Sequence, residues 1–107
     1  MIAVMYRSYV KSGREEEYQI LWKRIATYFV EKRGAIGSCL HKTEEGYWLI
    51  YSRWPNSETR DNSWPGEDAP SDILPDNIKQ AILDIKDCVD QNRKFPEICM
   101  KIKGDLL

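Results

Sequence analysis

The sequence predicts an α+β fold in which a four-stranded antiparallel sheet carries two helices on one face. Two observations lead to this prediction. Segments with the two-residue period of a strand or the longer period of a helix follow one another in the order β-α-β-β-α-β. In addition, no internal repeat, linker or low-complexity tract divides the 107 residues, so we predict one domain spanning residues 1–107.

The first strand and the first helix are predicted within residues 1–34. The segment "MIAVMYRSYV" is rich in strand-forming residues and stops at a polar segment. From Tyr18 onward, apolar residues recur at three- and four-residue steps, which indicates one stripe of an amphipathic helix. Ser12 and Glu15 have the spacing of a capping box, and Gly34 is the expected stop. The helix is therefore predicted to begin at that box and to end at the glycine.

The rest of the chain supplies the remaining elements. Residues 35–43 and 47–54 are predicted as two strands of a hairpin that turns at Gly46. Asn56 or Ser57 is the expected cap of a short helix. The segments that follow the hairpin are predicted as that short helix over 56–64, an irregular loop over 65–75, a helix over 76–92 and a last strand over 94–107. Pro96 lacks a backbone donor, which favours an edge position for the last strand.

The order of elements is that of the ferredoxin-like, or split βαβ, arrangement. Right-handed crossovers then put the first and third strands in the centre of the sheet. Both faces of these strands carry large apolar and aromatic residues, whereas a sheet that is open to water alternates apolar and polar residues. Because no sequence remains to cover the second face, we predict a twofold homodimer with two sheets packed face to face.

Composition and charge argue against several classes of function. The chain has 16 Lys and Arg against 17 Asp and Glu, a net charge of −1, which gives no reason to expect nucleic acid or an anionic membrane as partner. No apolar run approaches the roughly 20 residues that span a bilayer. The first residues do not have the pattern of a signal peptide. We therefore expect a cytoplasmic protein.

Cysteine and histidine content limits the chemistry. Cys39, Cys88 and Cys99 are odd in number and have no metal-ligand spacing, so they are interpreted as small buried residues in a reducing compartment, with a reactive thiol as the alternative. His41 is the only histidine, and a site with several His ligands cannot be built within one chain. We therefore expect no metal. The sequence also lacks nucleotide-binding glycine patterns, so it gives no sign of a nucleotide cofactor.

Two Trp-Pro pairs flank a polar segment in "SRWPNSETRDNSWPGED", residues 52–68. Trp54 either plugs the core or lines a ligand pocket. Trp64 lies beyond the predicted regular structure and is either a pocket wall or a structural corner. Asn62 either donates to a substrate oxygen or bonds its own backbone, as turn residues commonly do.

Three further residues are candidates for a site. Arg53 shares a strand face with Tyr51 and either pairs with a carboxylate across the dimer or steadies a phenolate. Tyr51 is either a substrate contact or part of the interface or core. His41 is either a general base, since its reference pKa of about 6.5 suits that task, or a surface residue of the hairpin.

Three stretches carry a family resemblance: "VKSGREEEY", the segment with Gly34 and Gly37, and "YWLIYSRWPNSETRD". In these stretches the chain resembles the antibiotic-biosynthesis-monooxygenase domain of the dimeric α/β-barrel superfamily, over residues 1–64. The resemblance implies that two ferredoxin-like protomers form a dimeric α/β barrel with a small apolar pocket in each protomer.

The resemblance also implies a function. Members of the family oxidise phenols or quinols without metal or flavin, because the deprotonated substrate itself activates oxygen, or they degrade haem. The expected function is cofactor-independent monooxygenation of a small aromatic or quinol-like compound, and the alternative is a non-catalytic, ligand-binding or stress-related dimer. Haem degradation ranks lower, because the first strand has no Asn and no His follows Trp64. The candidates are Asn62, Trp64 and His41 for catalysis, and Trp54, Arg53 and Tyr51 for substrate binding.

Overall fold

The structure is a computed structural model that describes residues 1–63 and 74–106. The described residues form five strands and three helices. Their bounds are β1 Ile2–Val10, α1 Glu15–Lys32, β2 Gly37–Lys42, β3 Trp48–Trp54, α2 Ser57–Ser63, α3 Asp76–Asp87, β4 Val89–Lys94 and β5 Ile98–Lys101. The predicted α+β class and the order of its elements are confirmed. The loop predicted over 65–75 lies almost entirely outside the described residues.

The strands form one antiparallel sheet in the order β2-β3-β1-β4, with β5 also paired to β1. β1 and β3 therefore lie in the centre, as predicted. The sheet has five strands instead of the predicted four, because residues 89–94 form β4 where a helix was predicted up to residue 92, and β5 follows Pro96 as a separate strand. β4 places Lys94 opposite Ser8, and β5 resumes on the same edge with Ile98 opposite Met5. A proline cannot donate to the ladder. The predicted edge position is confirmed, whereas the interruption at Pro96 was not predicted.

The helix ends agree with the predictions in part. Gly34 ends α1 with a φ of +85°, a backbone conformation that favours glycine. The predicted capping box is wrong, because α1 begins at Glu15 and its carboxylate accepts a hydrogen bond from the backbone N–H of Gly13 at 3.0 Å. The predicted cap of α2 is confirmed: the Asn56 side chain accepts from the backbone N–H of Thr59 at 2.7 Å.

The second long helix ends five residues before its predicted end at Asn92. α3 stops at Asp87, and the fully buried Cys88 follows it. Val89 then pairs with Val10 in the sheet. Its apolar side chain continues the helical stripe in the sequence, but the chain has already changed to a strand. The last helical residues of the prediction therefore belong to β4.

The core lies between one face of the sheet and the helices α1 and α3. Ile2 and Val4 on β1 contact Phe29 on α1 and Ile78 on α3 in one buried cluster. A second cluster at the other end of the sheet contains Tyr18 and Trp48 among others. Successive residues of a strand point to opposite faces, so the even-numbered residues of β1 and β3 face the helices. We call this the helix face of the sheet, and the opposite face the open face.

Candidate functional site

A cavity of about 260 Å³ lies between the helix face of the sheet and the helices. Its apolar walls include Ile25 and Phe29 on α1, Ile50 and Trp54 on β3, and Ile82 on α3. The Phe29 and Trp54 rings meet edge to face, with their centroids 6.2 Å apart. Edge contacts of this kind fix both rings, so this end of the cavity has a rigid aromatic wall.

The space exists because small residues occupy positions that face the helices. Ser8 on β1, Ser38 on β2 and Ser52 on β3 all line it, and so do Ala26 and Ala35. Protein interiors are normally close-packed, and in such an interior a larger apolar side chain would occupy each of these positions. The small side chains leave a volume that the surrounding rings and aliphatic groups do not fill.

A chain of hydrogen bonds lies on the β2 side of the cavity. The Trp22 indole Nε1 donates to the Ser38 hydroxyl at 3.1 Å. The hydroxyl oxygens of Ser38 and Ser52 are 3.0 Å apart, and either can donate. Ser38 and Ser52 are directly opposite each other in the β2–β3 ladder, which brings their side chains together on the helix face. All three residues line the cavity.

A second polar group lies on the β4–β5 side. Tyr6 lines the cavity, and its hydroxyl accepts a hydrogen bond from Nη2 of Arg60 at 3.0 Å. The same Arg60 nitrogen lies 2.5 Å from Oε1 of Glu97, which also lines the cavity. The Arg60 and Glu97 side chains are only 15% and 23% exposed, so this ion pair is shielded from water. We call these three residues the Tyr6 cluster.

Burial controls the protonation of two phenols here. Burial raises the pKa of Tyr6, while the hydrogen bond and charge of Arg60 act in the opposite direction. Burial likewise raises the pKa of Tyr18; a hydrogen bond with Ser8 acts in the opposite direction, and the net pKa is about 12. Both phenols are therefore neutral at physiological pH.

The structure places the predicted substrate-binding residues on two faces of the sheet. Trp54 is 4% exposed, packs in the core and also lines the cavity, and its role in substrate binding stays a prediction. Arg53 and Tyr51 lie on the open face. The Arg53 guanidinium forms a bidentate ion pair with Asp105 of the same chain, with Nη1 2.8 Å from Oδ2 and Nη2 3.3 Å from Oδ1. The guanidinium carbon of Arg53 also lies 5.7 Å from the Tyr51 ring centroid.

Two of the predicted catalytic residues, His41 and Asn62, are not among the described residues that line the cavity. His41 is exposed on edge strand β2, on the open face, with Nδ1 3.3 Å from the carbonyl oxygen of Leu49. Asn62 is exposed on α2, and its backbone carbonyl accepts from Nη2 of Arg33 at 3.2 Å. Trp64 lies outside the described residues. The catalytic roles of all three stay predictions.

Sequence reasoning did not assign the Tyr6 cluster or the Trp22–Ser38–Ser52 chain to the site. One sequence signal for these hydrogen bonds was present: Ser52 interrupts an otherwise apolar face between Ile50 and Trp54. No comparable signal marks Arg60, which lies in a helix of polar residues and reaches Tyr6 across 54 positions of sequence.

In residues 1–63 and 74–106, no group of three or more His, Cys, Asp or Glu side chains is arranged to hold a metal ion. Over the same residues, no helix has the length and apolar character to cross a membrane.

Solved structures match this fold over nearly the whole chain. SnoaB, a cofactor-independent oxygenase from Streptomyces nogalater, is 10% identical with a TM-score of 0.71, and the match covers 98% of this chain and 95% of that one. A protein from Deinococcus radiodurans, provisionally named an antibiotic biosynthesis monooxygenase, is 14% identical with a TM-score of 0.68, over 100% and 97% of the two chains. The chain has the fold of the antibiotic biosynthesis monooxygenases.

The antibiotic biosynthesis monooxygenase fold is shared with proteins of less specific name. A conserved protein from Methanosarcina mazei Go1 is 17% identical with a TM-score of 0.71, and the match covers 95% of this chain and 92% of that one. No family model matches the sequence, and no curated protein matches it either. At identities of 10 to 17%, the likeness establishes the fold, and activity has to be argued from the site.

Proposed function

We propose that the protein is a cofactor-independent monooxygenase that oxidises a small aromatic or quinol-like compound bound in the cavity. The observation that carries this proposal is the Tyr6 cluster at one side of an apolar cavity. A neutral phenol that is polarised by a buried Arg60 is a strong donor to an oxygen atom on which negative charge develops. SnoaB, which shares the fold, is itself a cofactor-independent oxygenase.

The size of the cavity favours compounds of one or two rings. A cavity of about 150 Å³ in a protein core is known to hold benzene. The volume of about 260 Å³ here therefore suits a somewhat larger skeleton. Its Ile, Phe and Trp side chains provide apolar contacts for the bound ring, and charged side chains such as Lys86, Asp90 and Glu97 also line the cavity.

The chemistry balances without an added reductant when the substrate is a quinol. Loss of a proton from the quinol to solvent gives an electron-rich anion, and the Tyr6 hydroxyl donates to its oxygen; a proton from solvent later completes the water formed from the second oxygen atom. The anion transfers electrons to dioxygen, and a carbon–oxygen bond forms on the ring. Two electrons of the quinol reduce the second oxygen atom to water. The product is a hydroxyquinone, and the chain's own residues only bind, orient and stabilise charge.

Oxygen consumption tests the proposal. Purified protein with a chelator and a series of one- and two-ring quinols should consume oxygen faster than each quinol alone. Tyr6→Phe removes one oxygen atom from the cavity and should lower turnover about 100-fold, as the loss of one oxyanion donor typically does. Tyr28→Phe is the matched control, since Tyr28 packs against Phe29 outside the cavity lining. Equal turnover in Tyr6→Phe and the native protein would refute the role of the cluster.

A non-catalytic ligand-binding function is the second candidate. The observation that favours it is the pairing of Arg60, whose charge is already balanced by Glu97 at 2.5 Å and approached by Asp61 at 3.6 Å. A compensated cation stabilises a new anion less than a free one. Tight binding of an aromatic compound without oxygen consumption would select this function. Haem degradation remains the weakest candidate, because the only histidine, His41, lies on the open face.

We further propose that the protein forms a twofold homodimer through the open face. Half-buried apolar and aromatic side chains cover that face, on β1, β3 and β5: Met5, Leu49, Tyr51, Ile98 and Met100. Covering such a patch removes apolar area from water at about 25 cal/mol per Å². Sedimentation equilibrium at micromolar concentration should give twice the chain mass of 12.6 kDa, and a single-chain mass throughout would refute the dimer. Three unpaired cysteines are compatible with the reducing cytoplasm, where we place the protein.

A further inference from the structure

The Trp22–Ser38–Ser52 chain contains one more hydrogen than it uses. The indole N–H and the two hydroxyls supply three donor hydrogens. The two hydrogen bonds, at 3.1 and 3.0 Å, use two of them. If Ser38 donates to Ser52, the Ser52 hydrogen is left; if Ser52 donates to Ser38, the Ser38 hydrogen is left. In either direction, one hydroxyl hydrogen has no acceptor among the described residues.

That spare hydrogen belongs to a group that lines the cavity. Ser38 and Ser52 are both half-buried, and both line it. A donor that is partly withdrawn from water loses free energy when it stays unpaired, so a ligand oxygen that reaches it gains a hydrogen bond. Trp22 holds the Ser38 hydroxyl in place, which lowers the entropy lost when a ligand orders the pair.

The Ser38–Ser52 pair and the Tyr6 cluster lie on different strands. The serine pair joins β2 and β3, whereas Tyr6 is on β1, and Glu97 lies just before β5 on the far side of β1. Neighbouring strands are about 4.8 Å apart, so the midpoint of the pair lies roughly 7 Å across the sheet from β1. The apolar side chains of Ile50 and Ile82 also line the cavity, which spans both groups.

We propose that the Ser38–Ser52 pair is a second recognition point of the cavity, which selects aromatic ligands carrying two oxygen substituents. One oxygen, a phenol, faces the Tyr6 cluster. The other, an oxygen that accepts a hydrogen bond, such as a carbonyl, takes the spare hydrogen of the serine pair. This inference rests on the proposed function for the location of the ligand, and it adds the class of substrate that the site prefers.

Three bicyclic compounds of nearly equal size test the proposal by binding alone. The first, 5-indanol, carries only the phenol; 1-indanone carries only the carbonyl; and 5-hydroxy-1-indanone carries both at opposite ends of the skeleton. Isothermal titration of the native protein should show that adding the carbonyl to 5-indanol tightens binding roughly fivefold, the effect of one neutral hydrogen bond. Turnover is not measured, so the result does not depend on catalysis.

The serine variants have a distinctive expected order. Ser52→Ala leaves the Ser38 hydroxyl able to donate to the ligand, and Ser38→Ala leaves Ser52 able to do so. Each single variant should therefore keep most of the preference for the second oxygen. The double variant Ser38→Ala/Ser52→Ala has neither hydroxyl and should bind 5-indanol and 5-hydroxy-1-indanone equally. Ser8→Ala is the control, because it removes the same kind of atom, a hydroxyl oxygen, from the same cavity, and Ser8 is not part of the Trp22–Ser38–Ser52 hydrogen bonds.

Each outcome decides a separate point. If the native protein binds 5-hydroxy-1-indanone and 5-indanol equally, the second recognition point is refuted while an aromatic-binding cavity stands. If the preference survives in the double variant, or is lost in Ser8→Ala, the second oxygen is recognised elsewhere and the proposal is wrong. If none of the three compounds binds, this inference fails together with its premise that the cavity takes small aromatic compounds.

Discussion

Replacing Trp54 by Ala should be among the most damaging single changes in the protein. The side chain is 4% exposed and packs with Phe29, Ile2 and Ile78 in one cluster. A Trp side chain buries about 150–250 Å², which corresponds to roughly 4–6 kcal/mol at 25 cal/mol per Å². Compact denatured states already bury part of that area, which reduces the figure to about 3–5 kcal/mol. Core Trp→Ala substitutions fall in the same range.

Denaturant titration followed by circular dichroism measures the loss directly. In a thermal melt of a chain of this size, the same loss of 3–5 kcal/mol should lower the melting temperature by roughly 15–30 °C. Because such a loss approaches the whole stability of a small domain, Trp54→Phe provides a second measurement, with an expected loss of about 1–2 kcal/mol.

The matched control for Trp54 is Trp22. Trp22 also lines the cavity, but it is only half-buried, so Trp22→Phe should cost less than Trp54→Phe. Finding the two losses equal, or a loss below about 1.5 kcal/mol in Trp54→Ala, would refute the assignment of Trp54 to the core. The side chain would then be a pocket wall only, and its burial in the cluster would contribute little to folding.

Three further predictions concern other parts of the chain. Gly34→Ala should destabilise the protein by about 1–2 kcal/mol in a thermal melt, because the φ of +85° is costly for a residue with a Cβ. The pKa of Tyr18, about 12, exceeds the unfolded value near 10, so its contribution to stability is complete below pH 10 and is lost as the pH rises towards 12. In Tyr18→Phe, the free energy of unfolding should therefore fall less between pH 10 and pH 12 than it does in the native protein. Thiol titration of the native protein should count two reactive groups, Cys39 and Cys99, because both are exposed, whereas Cys88 is buried and burial raises its pKa; a third fast thiol would contradict this.

The parts of the fold that follow from local pattern could be predicted from the sequence. The stripe of α1 and its stop at Gly34 are local signals, and so is the hairpin turn at Gly46, where φ is +100°. The end of α3 was predicted wrongly, because Val89 continues the apolar stripe and pattern alone does not say that its partner is Val10 on a strand. Periodicity reports that a position faces the core, and it does not report which element supplies the neighbour.

The interpretation of Arg53 shows a related limit. The strand alternation correctly put Arg53 and Tyr51 on one face, and the roles considered for Arg53 were pairing with a carboxylate across a dimer or steadying a phenolate. The partner in this structure is Asp105, 52 residues later in the same chain. A sequence shows that a half-buried guanidinium needs an acceptor, but it does not show which of the acidic residues will reach it.

The cysteines show the same limit from the other direction. All three were interpreted as buried, and only Cys88 is. Cys88 follows α3 at the point where the chain enters the sheet, so helix and sheet both cover it. Cys39 and Cys99 lie on edge strands β2 and β5, which have a neighbour on one side only. Residue type alone therefore predicted burial well where two layers meet, and poorly at the edges of the sheet.

The cavity follows from residues whose effect is to leave space. Ser8, Ser38 and Ser52 occupy inward positions of three neighbouring strands, where a large apolar residue would complete the core. Filling such a position with Val or Leu would gain transfer free energy of about 1.5–3 kcal/mol. A core that leaves this stabilisation unused, and instead pairs the Ser38 hydroxyl with Trp22 and Ser52, is expected where the space itself has a use. The polar residues on the inward face are therefore the strongest sequence signal for the site, because packing alone would favour apolar side chains at all three positions.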